Sequence, residues 1–349
     1  MTPDVNAHLH TPFSFSAFGS IDEALDLAAA EGVKVVGIND FYSTDGYLDW
    51  DGGCRRRGLY PLFGIEFIAL DIDAQAAGLR VNDPGNPGRT YLSGKGLACP
   101  PVLSGEPARQ LAAVKAEANA QVERMCEKLN AYLRSQGINE ELDFEEIKST
   151  LTRGLVRERH LAKALRMKLY PDAENPAKVE NELRSRLLKA GGPAFVPEEP
   201  KAFLPINTVR QIIEAAGGIP TYPFLGDDAS GRFTDFESDL QQAADNLKKR
   251  GIRSAEFITT RNTAFVLEQY ASYLEDEGFT VCFGSEHNTP AMEPVRLRTR
   301  DASVLSDKLK DINYRGACFI AAHQAGLSSI PREGMIEEGD KLIQKALSI

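Results

Sequence analysis

The chain has 349 residues, 42% of them hydrophobic, which is enough for one large core plus an insertion. Its net charge of −10 argues against nonspecific nucleic-acid binding, because a surface that follows phosphates needs an excess of Lys and Arg. No run reaches the roughly 18 to 20 apolar residues of a membrane span, and no signal peptide is recognisable, so we expect a cytoplasmic protein.

The first feature along the chain is a histidine pair, His8 and His10, which follows a short apolar stretch. Alternate residues of a strand point to the same side, so both imidazoles would lie on one face at a strand end. Two imidazoles in that position form half of a metal site. The alternative interpretation is a surface pair in an extended N-terminal segment.

A βαβ unit follows. Ser20 and Glu23 have the spacing of a capping box and predict the start of a helix, and Gly32 predicts its end. The nearly continuous apolar run 33–38 is typical of a strand buried on both faces, and it leads directly to Asp40.

A second apolar run, 62–68, contains Glu66. A carboxylate inside such a strand is costly unless it meets a cation, so Glu66 is a candidate metal ligand. The alternative is a salt bridge between Glu66 and one of the arginines at positions 55–57.

Three further strands are predicted at 219–222, 252–258 and 279–283. Arg261 and the pair Glu286 and His287 come just after the last two of these strands. Adjacent residues of a strand point to opposite sides, so Glu286 and His287 could face one site only if the chain turns there. The segment Asn288-Thr-Pro290 does indicate a turn. We interpret Arg261 as a substrate contact.

The middle of the chain differs in its periodicity. From about residue 105 to 191, apolar residues recur at spacings of three and four with charged residues between them, which predicts helices. We therefore divide the chain into a barrel of residues 1–100 and 201–349 and a helical insertion of residues 101–200.

These motifs resemble, in order and spacing, those of the PHP (polymerase and histidinol phosphatase) domain. The segments that carry the resemblance are His8-Leu-His10 with Ser14, Asn39-Asp40-Phe41, Gly64-Ile-Glu66 and Gly284-Ser-Glu-His287. The resemblance covers roughly residues 1–70 and 205–290. It implies an α/β fold, a distorted (β/α)7 barrel similar to a TIM barrel, with a helical insertion and metal ions at the C-terminal ends of the strands. Many members of this family hydrolyse phosphoesters.

The sequence departs from the family at several ligand positions. Phe15 and Phe41 stand where an Asp and a His are usual, and Tyr222 stands where a His is usual. Because Phe cannot coordinate a metal, we expect one or two divalent ions (Mn, Zn or Fe) instead of three. The predicted ligands are His8, His10, Glu66 and His287. Asp40 matches a position that supports a neighbouring ligand, although it could equally cap the following turn.

The stretch from Arg157 to Leu165 resembles the lid helix of PHP phosphoesterases that act on nucleotide phosphates. In that group the cations of the helix contact the substrate phosphate, which implies this role for Arg157 or Arg159 and for Lys163. An ordinary solvated basic helix is the alternative. Proton transfer to a leaving oxygen needs a titratable group nearby, and Glu286 or His160 could supply it.

The sequence thus predicts a metal-dependent hydrolase, a phosphoesterase acting on a small phosphorylated metabolite or nucleotide. One alternative is a barrel that has lost catalysis and binds a small molecule or a protein, since two phenylalanines make the cleft more apolar. Another is a metal-dependent hydrolase of C–N or C–O bonds. The oligomeric state is left open.

Overall fold

The computed structural model describes residues 2–197 and 202–348. Eight strands form one sheet: β1 (Asp4–Leu9), β2 (Val33–Phe41), β3 (Tyr60–Leu70), β4 (Arg89–Lys95), β5 (Leu204–Pro205), β6 (Ile219–Phe224), β7 (Ser254–Ile258) and β8 (Thr280–Gly284). Their spatial order is β1-β2-β3-β4-β6-β7-β8, and the two-residue strand β5 pairs with β3.

The sheet curls into a nearly closed barrel. Its pairings are parallel except around β4, which runs antiparallel to β3 and to β6. At the seam between β1 and β8, His10 N donates to Glu286 O at 2.8 Å and Glu286 N donates to His8 O at 2.9 Å. The predicted α/β fold, a distorted seven-stranded barrel with a helical insertion, is confirmed.

Twelve α-helices are assigned within the described residues: α1 (Ile21–Ala30), α2 (Tyr47–Arg56), α3 (Ile72–Ala76), α4 (Gly105–Ser135), α5 (Phe144–Leu151), α6 (Glu158–Leu169), α7 (Pro176–Leu183), α8 (Ile206–Ala215), α9 (Leu240–Lys249), α10 (Ala264–Asp276), α11 (Asp307–Gln324) and α12 (Arg332–Leu347). The Ser20 hydroxyl caps α1 by accepting a hydrogen bond from Glu23 N at 3.1 Å, as the capping spacing predicts. The Glu23 carboxylate accepts from Gly19 N. None of these helices has the length and apolar character that crossing a membrane requires.

Helices α4 to α7 lie between β4 and β5 in the chain and enclose a hydrophobic cluster of their own, which includes Leu129, Leu161 and Leu187. A π-helical turn, Arg184–Leu188, continues α7. The first half of α4 instead packs on the barrel, where Val114 joins the main core. The domain division at residues 101 and 200 stays a prediction, because residues 198–201 lie outside the described residues.

Candidate metal centre

His8 of β1, His10 directly after that strand and Glu66 of β3 meet inside one end of the barrel. The Nε2 atoms of His8 and His10 are 3.2 Å apart. Glu66 Oε2 lies 3.2 Å from His10 Nε2 and 3.8 Å from His8 Nε2. These three side chains form a group that could hold a metal ion, and all three are buried.

A carboxylate behind His8 fixes its orientation. His8 Nδ1 lies 3.0 Å from Glu256 Oε2, so this nitrogen donates its proton and the Nε2 lone pair faces the group. Lys95 Nζ pairs with the same carboxylate at 2.7 Å, and Ser93 Oγ also donates to it. Burial opposes ionisation of Glu256, but Lys95 and His8 outweigh it and hold the pKa of Glu256 below its usual range.

His10 is oriented through a hydroxyl. Its Nδ1 lies 3.1 Å from Ser14 Oγ, which donates to Asp40 Oδ1 at 2.6 Å and therefore accepts from the imidazole. Asp40 also accepts from Thr11 N at 2.7 Å and from Thr11 Oγ1 at 2.5 Å. The Asp40 carboxylate thus contacts the loop after β1 and reaches His10 through Ser14.

This arrangement fits a cation. Both imidazoles donate from Nδ1, so their Nε2 atoms face Glu66 Oε2, which has no hydrogen-bond partner. The Asn39 amide nitrogen also lies 3.2 Å from His8 Nε2. Burial lowers the pKa of His8 to about 3 and that of His10 to about 4, so neither ring carries a second proton at neutral pH. Burial raises the pKa of Glu66 to about 8. Without a metal, a proton on this carboxyl therefore removes the repulsion between the carboxylate and the two imidazole Nε2 atoms. Two neutral imidazoles and one carboxylate are a frequent ligand set for catalytic zinc and for non-haem iron.

Two alternative interpretations from the sequence are wrong. His8 and His10 have no exposed surface, so they are not a surface pair. Glu66 is not paired with an arginine at positions 55–57, because each of these three arginines pairs with an aspartate at the surface. None of these arginines therefore offsets the cost of burying Glu66.

His287 does not join this group. Its Nδ1 lies 2.8 Å from Ser285 Oγ, and its Nε2 lies 2.8 Å from Glu293 O. Its ring stacks on Phe18, with 4.7 Å between ring centroids. The ligand role predicted for His287 therefore does not fit the structure, because both ring nitrogens are engaged by other protein groups.

Glu286 and His287 both adopt left-handed backbone conformations, with φ of 62° and 59°. For residues other than Gly this conformation costs roughly 1–2 kcal/mol each, and such strain is concentrated at functional sites. The turn directs Glu286 towards Arg261, whose Nη2 donates to both carboxylate oxygens at 2.9 and 2.7 Å. Burial raises the pKa of Glu286, and Arg261 opposes that rise. Its role as a general acid stays a prediction.

A cavity of about 640 Å³ opens above Glu66, between the strand ends and the insertion. Arg157, Arg159 and Arg261 line it, as predicted for substrate contacts, whereas Lys163 does not. The helix α6 therefore presents its N-terminal arginines to the cavity and directs Lys163 elsewhere. The further cations that line the cavity, which the sequence analysis missed, are Arg89, Arg184 and Lys189.

His160 has a structural role in this arrangement. Its Nδ1 accepts a hydrogen bond from Arg157 N at 2.9 Å, which caps the start of α6. Its ring meets the Phe15 ring at 4.9 Å in an edge-to-face contact. Burial lowers the pKa of His160 to about 3, and the residue does not line the cavity. The general-acid role of His160 stays a prediction, and these contacts instead give the residue a capping role.

Two phenylalanines, Phe15 and Phe41, join the barrel to the insertion. Phe41 stacks on His10, with 5.1 Å between ring centroids, and Arg157 Cζ lies 4.4 Å from the Phe41 centroid. Arg159 Cζ lies 5.7 Å from the Phe15 centroid. These are cation–π contacts, which hold the arginine side chains over the cavity.

Sequence reasoning also missed the supports of His8. Glu256 lies in the predicted apolar strand 252–258, so the argument applied to Glu66 would have identified it too. The segment Ser93-Gly-Lys-Gly96 has the glycine content of a flexible link, yet Lys95 is buried in β4.

The sequence matches no protein-family model and no curated protein. Two similar solved structures are a protein described as a metal-dependent phosphoesterase from Bifidobacterium adolescentis and an amidohydrolase from Chromobacterium violaceum, solved with bound sulfate and no metal. The first has a TM-score of 0.63 and 18% identity, over 89% of this chain and 95% of that one. The second has a TM-score of 0.59 and 17% identity, over 88% and 96%. At these identities the similarity shows the shared fold.

Proposed function

We propose that the protein is a metal-dependent phosphoesterase of the PHP type that acts on a small phosphorylated metabolite or nucleotide. The observation that carries this proposal is the unpartnered Glu66 Oε2, which faces two imidazole nitrogens and borders a cavity with arginine side chains. His8, His10 and Glu66 are the proposed ligands of one divalent ion, Mn, Zn or Fe.

The charges around the cavity support an anionic substrate. The chain as a whole has a net charge of −10, yet this cavity is lined by six Arg and Lys residues and five Asp and Glu residues. Glu158 pairs with Arg184 and Glu286 pairs with Arg261. Arg159 has no carboxylate partner within the described residues, and its Nη1 contacts the Asn181 amide. Burial and the neighbouring Arg184 lower the pKa of Arg159 to about 10. An anion would relieve this crowding of positive charge.

Each part of the site has a distinct task in the proposed reaction. A bound divalent ion supplies Lewis acidity, which lowers the pKa of water and polarises a phosphoryl oxygen. Glu256 and Ser14 keep both imidazoles oriented. Arg157 and Arg159 hold the phosphate oxygens and offset the charge that develops on them. Glu286, whose pKa is raised by burial, donates a proton to the leaving oxygen.

The positive lining favours phosphoryl over carbonyl chemistry, since an uncharged amide or ester gains little from several arginines. A barrel that only binds a ligand is the second candidate. The contacts of Phe15 and Phe41 favour it, because they fill two former ligand positions with apolar rings.

Elemental analysis of protein produced with Mn, Fe and Zn available, followed by phosphate release from a panel of phosphomonoesters, tests the proposal. We expect about one metal ion per chain, lost in His8→Ala/His10→Ala together with turnover. His323→Ala is the matched control, because His323 lies in α11 and contacts Gly217 O. Wild-type protein that takes up no metal would support the binding barrel, and metal-dependent amide hydrolysis without phosphate release would support C–N chemistry.

A further inference from the structure

A second cavity, of about 540 Å³, lies between the outside of the barrel and α4. It shares seven lining residues with the cavity above Glu66, and four of these are cations: Arg89, Arg157, Arg184 and Lys189. The two cavities therefore meet at a common wall that is positively charged.

Beyond this wall the second cavity changes in character. Its far side is formed by apolar side chains from three parts of the chain: Ile68 and Leu70 of β3, Val122 and Met125 of α4, and Phe203. Ligand sites of this size typically combine an apolar lining with a few charged groups that fix orientation. The second cavity therefore combines polar and apolar lining, whereas the first is more polar, since charged side chains from the barrel and the insertion line much of it.

We infer that the substrate is an amphiphile, with its phosphate in the first cavity at the metal centre and an apolar acyl or aryl body in the second. This inference rests on the proposed function and specifies its substrate class. Arg157, which lines both cavities, holds the anionic group, and the apolar body gains free energy by leaving water in the second cavity. A small polar phosphate ester would leave the second cavity unused.

Binding of alkylphosphonates to the purified protein tests the inference, because their P–C bond resists hydrolysis. Methyl-, butyl- and octylphosphonate differ only in chain length, and calorimetry gives their dissociation constants. Full burial of a methylene strengthens binding about fourfold. We expect the affinity to rise with each added methylene that the second cavity accommodates, whereas octanol, which lacks the anionic group, should not bind.

Ala118 of α4 lines the second cavity and not the first. Ala118→Trp should remove the dependence on chain length and leave methylphosphonate binding unchanged. Ala116→Trp is the matched control, because Ala116 is an exposed residue on the same helix and should behave as wild type. Ala118→Leu is a smaller change that should reduce the gain in part, so the test does not depend on the folding of one variant.

Equal binding of methyl- and octylphosphonate would overturn the inference and leave the proposed function intact. Chain-length dependence that persists fully in Ala118→Trp would also overturn it, since the tail would then lie elsewhere. Absence of binding by every phosphonate and by inorganic phosphate would count against both the inference and the proposed phosphoesterase.

Discussion

The barrel and the insertion border the same cavity, but they hold their functional groups in different ways. The ligand candidates of the barrel are fully buried, and a hydrogen bond at Nδ1 orients each imidazole. The cations of the insertion lie at a helix start and a π-helical turn, and several of them are only partly buried. In the proposed function, the barrel fixes the position of the metal and the insertion selects the anion that approaches it. Perturbations on the two sides should therefore have separable effects.

The largest expected effect is the pH dependence of metal binding on the barrel side. Burial raises the pKa of Glu66 to about 8, whereas His8 and His10 are neutral above about pH 5. Glu66 must lose a proton to bind a metal, so affinity should rise about tenfold per pH unit from roughly pH 5 to 8 and then level off. Competition with a metal-binding dye across this range measures the slope.

The same pKa affects stability without metal. Because the folded pKa of Glu66 is raised above the unfolded value, the metal-free protein should lose stability as the pH rises from about 4.5 through 8. Glu66→Gln should lack this loss and should bind metal poorly at every pH. A metal affinity that is flat between pH 5 and 8 would contradict the prediction.

The next effect concerns the buried pair of Lys95 and Glu256 beneath His8. Lys95→Met or Glu256→Gln leaves one buried charge without its partner, which typically costs roughly 3–5 kcal/mol of unfolding free energy. The double variant should recover much of that stability, as urea denaturation can show. Metal affinity should remain about 10- to 100-fold weaker wherever Glu256 is changed, because His8 loses the group that orients it. Equal metal affinity in wild type and double variant would exclude an orienting role.

A smaller effect is expected on the insertion side. Arg159→Gln should weaken methylphosphonate binding about tenfold or more, because a hydrogen bond to a charged group contributes roughly 1.5–3 kcal/mol. Metal content should not change. Lys163→Gln is the matched control on the same helix, since Lys163 lies outside the cavity lining. Equal losses in both variants would indicate a general electrostatic effect and not a direct contact.

The smallest effect concerns His160. Its imidazole accepts from Arg157 N, so His160→Ala should cost about 1 kcal/mol of stability, the typical contribution of a helix cap. His160→Asn should recover part of this loss. The shape of the pH–rate profile should be the same in all three proteins. Loss of one limb of the profile in both variants would support the general-acid role.

The sequence predicts the ligand group of the barrel more fully than it predicts the cations of the insertion. His8, His10 and Glu66 were identifiable because polar residues inside apolar strands are visible as a local pattern. The partnership of Lys95 with Glu256 was not, because it depends on β4 running antiparallel next to β6, which only the strand order of the sheet determines. The two left-handed residues at positions 286 and 287 likewise redirect His287 in a way that strand periodicity does not predict.

The insertion was harder to predict. Helical periodicity identified α4 and α6 but not the orientation of α6 on the barrel, so Lys163 was assigned to the cavity together with Arg157. Arg184 and Lys189 lie in and just after a π-helical turn. Their positions follow from packing between helices, and the spacing of charged residues alone gives no signal for them.

The seam of the barrel has a consequence for how the molecule assembles. His8 lies in β1 and His10 follows it, whereas their neighbour across the seam, Glu286, comes after β8, the last strand of the sheet. Contacts between residues so distant in sequence close large loops, and their entropic cost delays them during folding. His8 is oriented towards Glu66 only when Glu256 is in place, and His10 only when Ser14 and Asp40 are. For the proposed metal centre, metal uptake would therefore be a readout of completed topology, since a partly folded chain lacks the site that would retain the ion.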